Sequence, residues 1–226
     1  MRIGIDARMY GLEHAGVGRY IMKLIEMILR YDKENEYVLF LQSSHMVDFQ
    51  VNVKVVETKI PIYSFSEQLI LPIIFAREKL DLLHIPVFNA PLFYPGRYVL
   101  TIHDLIKHDS KGLETTTRPG WMYLLLRAGY LFLSALITKR AEHIIVPTEY
   151  VKNDVIKRLR VSPQKVSVTY EAVSGTLKKV SLSPKQKTVV LKNYGLRQPF
   201  VVYTGNVYPH KNVDLLIDAI AYHNKQ

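Results

Sequence analysis

The chain has 226 residues, 48% of them hydrophobic, which is enough to build a packed core and excludes a disordered protein. It contains no cysteine, so it has neither a disulfide framework nor a thiolate metal site, and that usage suits a reducing cytoplasm. A formal charge of +10 favours an anionic partner, either a phosphorylated ligand or a membrane surface, and leaves the fold open.

In chain order, residues 2–6 (RIGID) are rich in β-branched Ile and read as a strand. Met1-Arg2 runs straight into it, so no signal peptide is expected before it. Residues 7–15 read as a loop. Gly16-Val17-Gly18-Arg19 then opens a helix on which Tyr20, Ile21, Leu24, Ile25, Ile28 and Leu29 fall at helical spacing. A strand, a glycine-bearing loop and a helix start form the opening unit of a nucleotide-binding α/β fold. The glycines admit close backbone approach, and the helix N-terminus turns unpaired N–H groups toward an anion. The same glycines also serve packing alone in many α/β proteins.

Residues 37–41 (YVLFL) and 53–56 read as buried strands. Residues 67–79 form a helix interrupted or kinked at Pro72, with Ser66 as its N-cap. Residues 82–85 are a short strand. Residues 86–96 hold three prolines and cannot be regular. Residues 98–102 (YVLTI) are a strand carrying His103-Asp104 at its C-terminal end. The apolar run 121–140 tempts a membrane-spanning reading. Arg127 divides it into pieces too short to span, and an arginine at mid-span costs roughly 2.5–3.5 kcal/mol, so a long core helix is expected, with a face on lipid left open. Residues 143–146 are a strand, Thr148 caps a helix over 150–160, and 166–170 is a further strand. Residues 174–183 read as a linker, a helix runs from Ser183-Pro184 to a C-terminal signal at Gly195, and 200–204 (FVVYT), 205–210 and 212–222 read as strand, loop and helix. Strands alternating with helices imply a Rossmann-like parallel sheet with helices on both faces. The strand, glycine loop and helix recur at the C-terminal end, as though a second similar domain had begun. The expected organisation is 1–173 as a first domain, 174–198 as linker and helix, and 199–226 as the first strand, loop and helix of a second.

Four stretches, in order, resemble group 1 (family 4) glycosyltransferases of the GT-B fold. They are Ile3-Gly4-Ile5-Asp6-Ala7-Arg8 with Gly16-Val17-Gly18-Arg19-Tyr20; His103-Asp104-Leu105; residues 144–159 (IIVPTEYVKNDVIKRL); and residues 202–212 (VYTGNVYPHKN). The nearest flavour resembles bacterial mannosyl- or related hexosyltransferases of surface polysaccharide assembly. The resemblance implies a retaining transfer of a hexose from a nucleotide diphosphate sugar to a glycan or lipid-linked acceptor, in the cytoplasm or peripherally at the inner membrane face. The sugar nucleotide is a co-substrate, and neither cofactor nor metal is implied. His103 would hydrogen-bond the donor sugar near the reacting centre. Gly16, Gly18, Arg19, Gly205 and Lys211 would serve the donor diphosphate, with Asp104 and Asn206 accessory. Asn206 stands close to where many members of the family have an arginine.

These roles agree with elementary chemistry. Breaking a sugar–phosphate bond builds negative charge on the leaving diphosphate, which preorganised cations and backbone N–H groups stabilise. An oxocarbenium-like sugar must be held and shielded from water. His103 lies where open α/β sheets bind ligands, outside the carboxyl ends of the strands. His84, His143 and His223 lack that context and read as packing or surface residues, His14 reads as an ordinary loop residue, and Asp6 as a cap or loop brace. The resemblance also implies a pair of donor-holding glutamates in the second domain, yet no glutamate follows Glu171. The sequence therefore reads as a fragment or truncated product, inactive by itself. A non-catalytic glycan- or membrane-binding module made of the first domain is the competing class. Nucleic-acid binding has only charge behind it, with no recognition motif.

Overall fold

The computed structural model describes residues 1–42, 53–109, 120–173 and 178–224, and these fall into two units, Met1–Ala172 and Val173–Gln226.

The first unit is built on seven parallel strands: β1 (Arg2–Asp6), β2 (Glu36–Leu41), β3 (Val53–Glu57), β4 (Leu82–Ile85), β5 (Tyr98–Thr101), β6 (His143–Val146) and β7 (Val166–Val168), in the spatial order β3-β2-β1-β4-β5-β6-β7. Helices cover both faces. β1 lies inside the sheet, pairing Ile3 and Ile5 with Tyr37 and Leu39 of β2 on one side and with Leu82 and His84 of β4 on the other. A strand flanked on both edges and covered on both faces buries alternate residues equally, which is why the apolar run of β2 is continuous rather than alternating. Chain order reverses between β1 and β4. That reversal opens a crevice at the carboxyl ends of those strands, the usual ligand position in open α/β sheets.

The helices follow the expected patterns with three corrections. α1 (Ala15–Tyr31) buries Ile21 and Ile25 one turn apart. The helix expected over 67–79 is two, α2 (Phe65–Leu69) and α3 (Leu71–Arg77), because Pro72 lacks the N–H that would continue the first and sits well in the opening turn of the second. The cap of α2 is Ser64 rather than Ser66, its hydroxyl accepting from the Glu67 N–H. After β5 come the short α4 (Ile106–Asp109) and α5 (Gly120–Arg140), and after β6 comes α6 (Glu149–Leu159), capped as expected by Thr148.

α5 was expected in the core, and there the expectation fails. Of its residues only Ser134, Ile137 and Thr138 are buried, and Trp121 is 70% exposed. Ile137 reaches the core near its C-terminal end, while along the rest of the helix Arg127, Tyr130 and Ser134 turn toward His108 and the apolar residues stay exposed, so a count of apolar residues misjudges which face packs.

In the second unit α7 (Pro184–Asn193) carries a reciprocal capping box between Ser183 and Gln186 and closes at Gly195, whose φ is 63°. α8 (Val213–His223) follows a 3₁₀ turn at Pro209–Lys211. The strand expected over 200–204 is absent. Those residues pair with no strand among the described residues, and a strand without a ladder partner has no backbone hydrogen bonds to hold it. None of this unit's described residues is buried, so a second Rossmann-like core is not formed.

Candidate functional site

The crevice is bounded by the ends of β4 and β5 and by the first turns of α1. His103 follows β5 and is one-fifth exposed at its side chain. Its Nε2 lies 3.1 Å from the Pro86 carbonyl, just beyond β4, and its Nδ1 lies 2.9 Å from Glu171 Oε1, just beyond β7. Each nitrogen thus faces an oxygen. The Tyr20 ring on α1 meets the imidazole edge-on at 4.8 Å between centroids. Contacts from three elements hold this ring, and its partner Glu171 is nearly half exposed. A hydroxyl-bearing ligand would compete with Glu171 for Nδ1.

Behind His103 lies a second layer. The Thr101 hydroxyl stands 2.9 Å from Nε2 of the buried His84 and 3.4 Å from the Tyr20 hydroxyl. Burial, followed by the proximity of His103, drives the His84 pKa down to about 4, so this imidazole is neutral at pH 7. Burial also raises the Tyr20 phenol, with the Glu171 charge adding to the effect. His84 is a packing residue, as read from the sequence, and Tyr20 lies on α1 as expected, but the contact of Tyr20 with His103 and the parts played by Thr101 and Glu171 were not read from the sequence. The visible signal is position: a polar residue inside the buried YVLT strand for Thr101, and the second turn of α1 for Tyr20, with none for Glu171.

A buried charge cluster braces the same edge. The Arg8 guanidinium donates to both carboxylate oxygens of Asp6, at 2.8 and 2.7 Å, and to Glu67 of α2. Burial alone would lower the Arg8 pKa, but Asp6 and Glu67 outweigh it and hold the side chain charged. The other oxygen of Glu67 accepts from the Tyr63 N–H and from the Asn89 side chain, at 2.8 and 2.7 Å. One carboxylate thereby ties together the loops after β1, before α2 and after β4. Asp6 does brace a loop, through Arg8.

Gly16 and Gly18 lie in the first turn of α1, not in the loop before it, and they differ. A Cβ on Gly18 would come 1.8 Å from the Gly11 carbonyl oxygen, so close packing accounts for that glycine. A Cβ on Gly16 would meet nothing within 4 Å, which leaves open approach to the helix start, where Arg19 is exposed. Asp104 is exposed and its carboxylate accepts from the Ile106 N–H, opening α4. In the second unit Gly205 has a φ of 146°, a conformation reserved for glycine. Asn206 follows it, its carbonyl accepting from the Tyr203 hydroxyl at 2.7 Å. Lys211 is exposed in the turn just before α8. Among the described residues no three His, Asp or Glu side chains group as a metal site requires.

Residues 15–174 match the family model described as Glycosyltransferase Family 4. The crystal structure of Anabaena HepE (Alr3699) in complex with UDP and glucose aligns with a TM-score of 0.59 at 18% identity, covering 98% of this chain and 57% of that one. The HepE complex with UDP-glucose aligns with a TM-score of 0.60 at 17% identity and the same coverage. At such identity the likeness is one of fold, and this chain spans little more than half of HepE. No curated protein matches the chain. The parallel sheet with its β1/β4 reversal and the family match over residues 15–174 agree: the chain belongs to Glycosyltransferase Family 4 and has the N-terminal fold of the GT-B enzymes.

Proposed function

We propose that the chain is the acceptor-side part of a nucleotide-sugar glycosyltransferase, together with the opening segment of its donor side. It serves transfer of a hexose, with retention, to a glycan or lipid-linked acceptor. The observation that carries this reading is the position of His103: oriented by Tyr20, Pro86 and Glu171, at the carboxyl end of β5, beside the second turn of α1. In the working enzyme His103 holds the donor sugar, exchanging the Glu171 contact for a sugar hydroxyl. Within the first unit the α1 start, with Gly16 and Arg19, suits a phosphate, and within the second unit the Gly205 loop and the Lys211 ammonium suit one, an ammonium being able to offset the charge that develops as the sugar departs. Asn206 supplies a polar contact in place of a second cation.

Mannose is the first sugar to test, on the sequence resemblance, and glucose the second, because the HepE structures hold UDP-glucose or UDP with glucose. The cysteine-free composition supports a cytoplasmic setting. The chain spans 57% of HepE, and we expect it to transfer no sugar alone. Incubating the chain with mannose and glucose donors on uridine and guanosine diphosphate, with a lipid-linked acceptor, tests this. Turnover by these residues alone would show that they hold a working donor site by themselves. Acceptor binding without turnover, persisting in the complete protein, would instead favour a glycan-binding module.

A further inference from the structure

Tyr63, in the loop before α2, has a φ of 62°, in the left-handed region that bulky side chains avoid and glycine fills without strain. Such a conformation persists only where surrounding contacts over-determine it. Two contacts do so here. The Tyr63 N–H donates at 2.8 Å to the Glu67 oxygen that also accepts from Asn89 beyond β4, and the other oxygen of that carboxylate accepts from Arg8 beyond β1. The Tyr63 ring lies under the Lys107 ammonium of α4, 4.1 Å from its centroid, and α4 follows β5. One residue is therefore tied to the segments leaving β1, β4 and β5, the strands whose ends frame the crevice. Asp104, between β5 and α4, belongs to the same neighbourhood. Burial first, and then the nearness of Tyr63 and Asp104, pushes the Tyr130 phenol up to about 12. Tyr63 nevertheless stays 61% exposed, so packing into the core does not account for its strained backbone.

We propose that the open part of the Tyr63 ring is a stacking platform for one sugar ring of a glycan, with the Lys107 ammonium and the Asp104 carboxylate beside it to take the sugar's hydroxyls. A pyranose has an apolar face of C–H bonds and a rim of hydroxyls. The face packs on the electron-rich face of an aromatic ring, and the rim needs both donors and acceptors. Lys107 supplies donors only. Asp104 supplies acceptors only, one of its oxygens already taking the Ile106 N–H, and both side chains are exposed. Hydrocarbon fits this trio poorly, because it would strip water from an ammonium and a carboxylate. A bare anion fits poorly as well, because Asp104 repels it. A ring held in place before the ligand arrives loses little freedom on binding. With His103 assigned to the donor sugar, a second sugar position at this crevice belongs to the acceptor. That assignment rests on the sugar-transfer reading, whereas the platform itself does not.

Tyr63→Gly separates a binding role from a structural one. Glycine takes the left-handed φ freely, so the melting temperature should hold or rise while sugar binding is lost. The chain and its variants are titrated with the methyl glycosides of mannose, glucose, galactose and N-acetylglucosamine, and saturation-transfer NMR is read on the sugar protons. We expect the parent to bind at least one of them, with saturation strongest on the ring C–H protons. Tyr63→Gly should bind at least about tenfold more weakly, and Tyr63→Trp should keep the binding. Equal binding by parent and Tyr63→Gly overturns the platform, as does no binding of any glycoside. A loss of binding matched by a loss of melting temperature overturns it too, by making Tyr63 a structural residue. The complete protein distinguishes this failure from a failure of sugar transfer. With the platform in place, Tyr63→Gly raises the KM for the glycan acceptor and leaves the KM for the nucleotide sugar unchanged. A complete protein that transfers no sugar yet binds glycosides through Tyr63 keeps the platform and removes the transfer reading.

Discussion

At the residue scale, His84 is the clearest case of a side chain whose burial decides its chemistry. Its folded pKa of about 4 lies below the unfolded value of 6.5, so between those values the unfolded chain binds more protons and stability rises with pH. We expect the stability contributed by a neutral His84 to be intact above pH 6.5 and to be lost as pH falls toward 4, on the order of 3 kcal/mol in all. Urea midpoints measured between pH 4.5 and 7 should show this slope, and His84→Gln should flatten it. A parent slope that His84→Gln leaves unchanged would assign it to other groups. The two glycines of α1 give a second contrast. Gly18→Ala must push the helix off the Gly11 carbonyl and should cost about 1–3 kcal/mol or more in thermal denaturation, whereas Gly16→Ala meets open space and should leave the melting temperature unchanged. If Gly16 serves a ligand, its variant loses binding without losing stability.

At the scale of elements, the loops that frame the crevice hang on Glu67. It joins α2 to Arg8 after β1 and to Asn89 after β4, all buried or half-buried. Glu67→Gln leaves the guanidinium paired with Asp6 but weakens its second charge-assisted contact, and should destabilise the first unit by about 1.5–3 kcal/mol, read from denaturant unfolding. An unchanged midpoint would show that the cluster is dispensable. The order of elements was legible because each depends on near neighbours in sequence: the β-branched strands, Pro72 dividing α2 from α3, Thr148 and Ser183 as caps, Gly195 as a stop. α5 was misread because its apolar content was taken to face inward. What decides its orientation is His108, outside the helix, which offers a carbonyl and two ring nitrogens to the polar side. The strand expected over 200–204 was misread for a related reason, since a strand needs a partner that local pattern cannot supply.

At the scale of the whole molecule, the sheet and its β1/β4 reversal turn scattered residues into one crevice. His103 was legible because it ends a strand. Its contacts with Glu171 and Tyr20 were not, because they come from beyond β7 and from α1, and only strand order brings those elements together. The same reasoning ranks variants of the complete protein. Lys211→Ala removes a charge-assisted contact and should weaken donor binding and rate together by about 1.5–3 kcal/mol, without affecting the first unit. The role of His103 as the group that holds the reacting sugar is tested most directly by steady-state transfer in the complete protein with His103→Ala, alongside thermal denaturation. We expect turnover to fall about 100-fold or more while the melting temperature moves little, because the ring is partly exposed and spends its bonds on orientation rather than on the core. Full-rate transfer by His103→Ala, or a loss of rate matched by a loss of folding, would contradict that role.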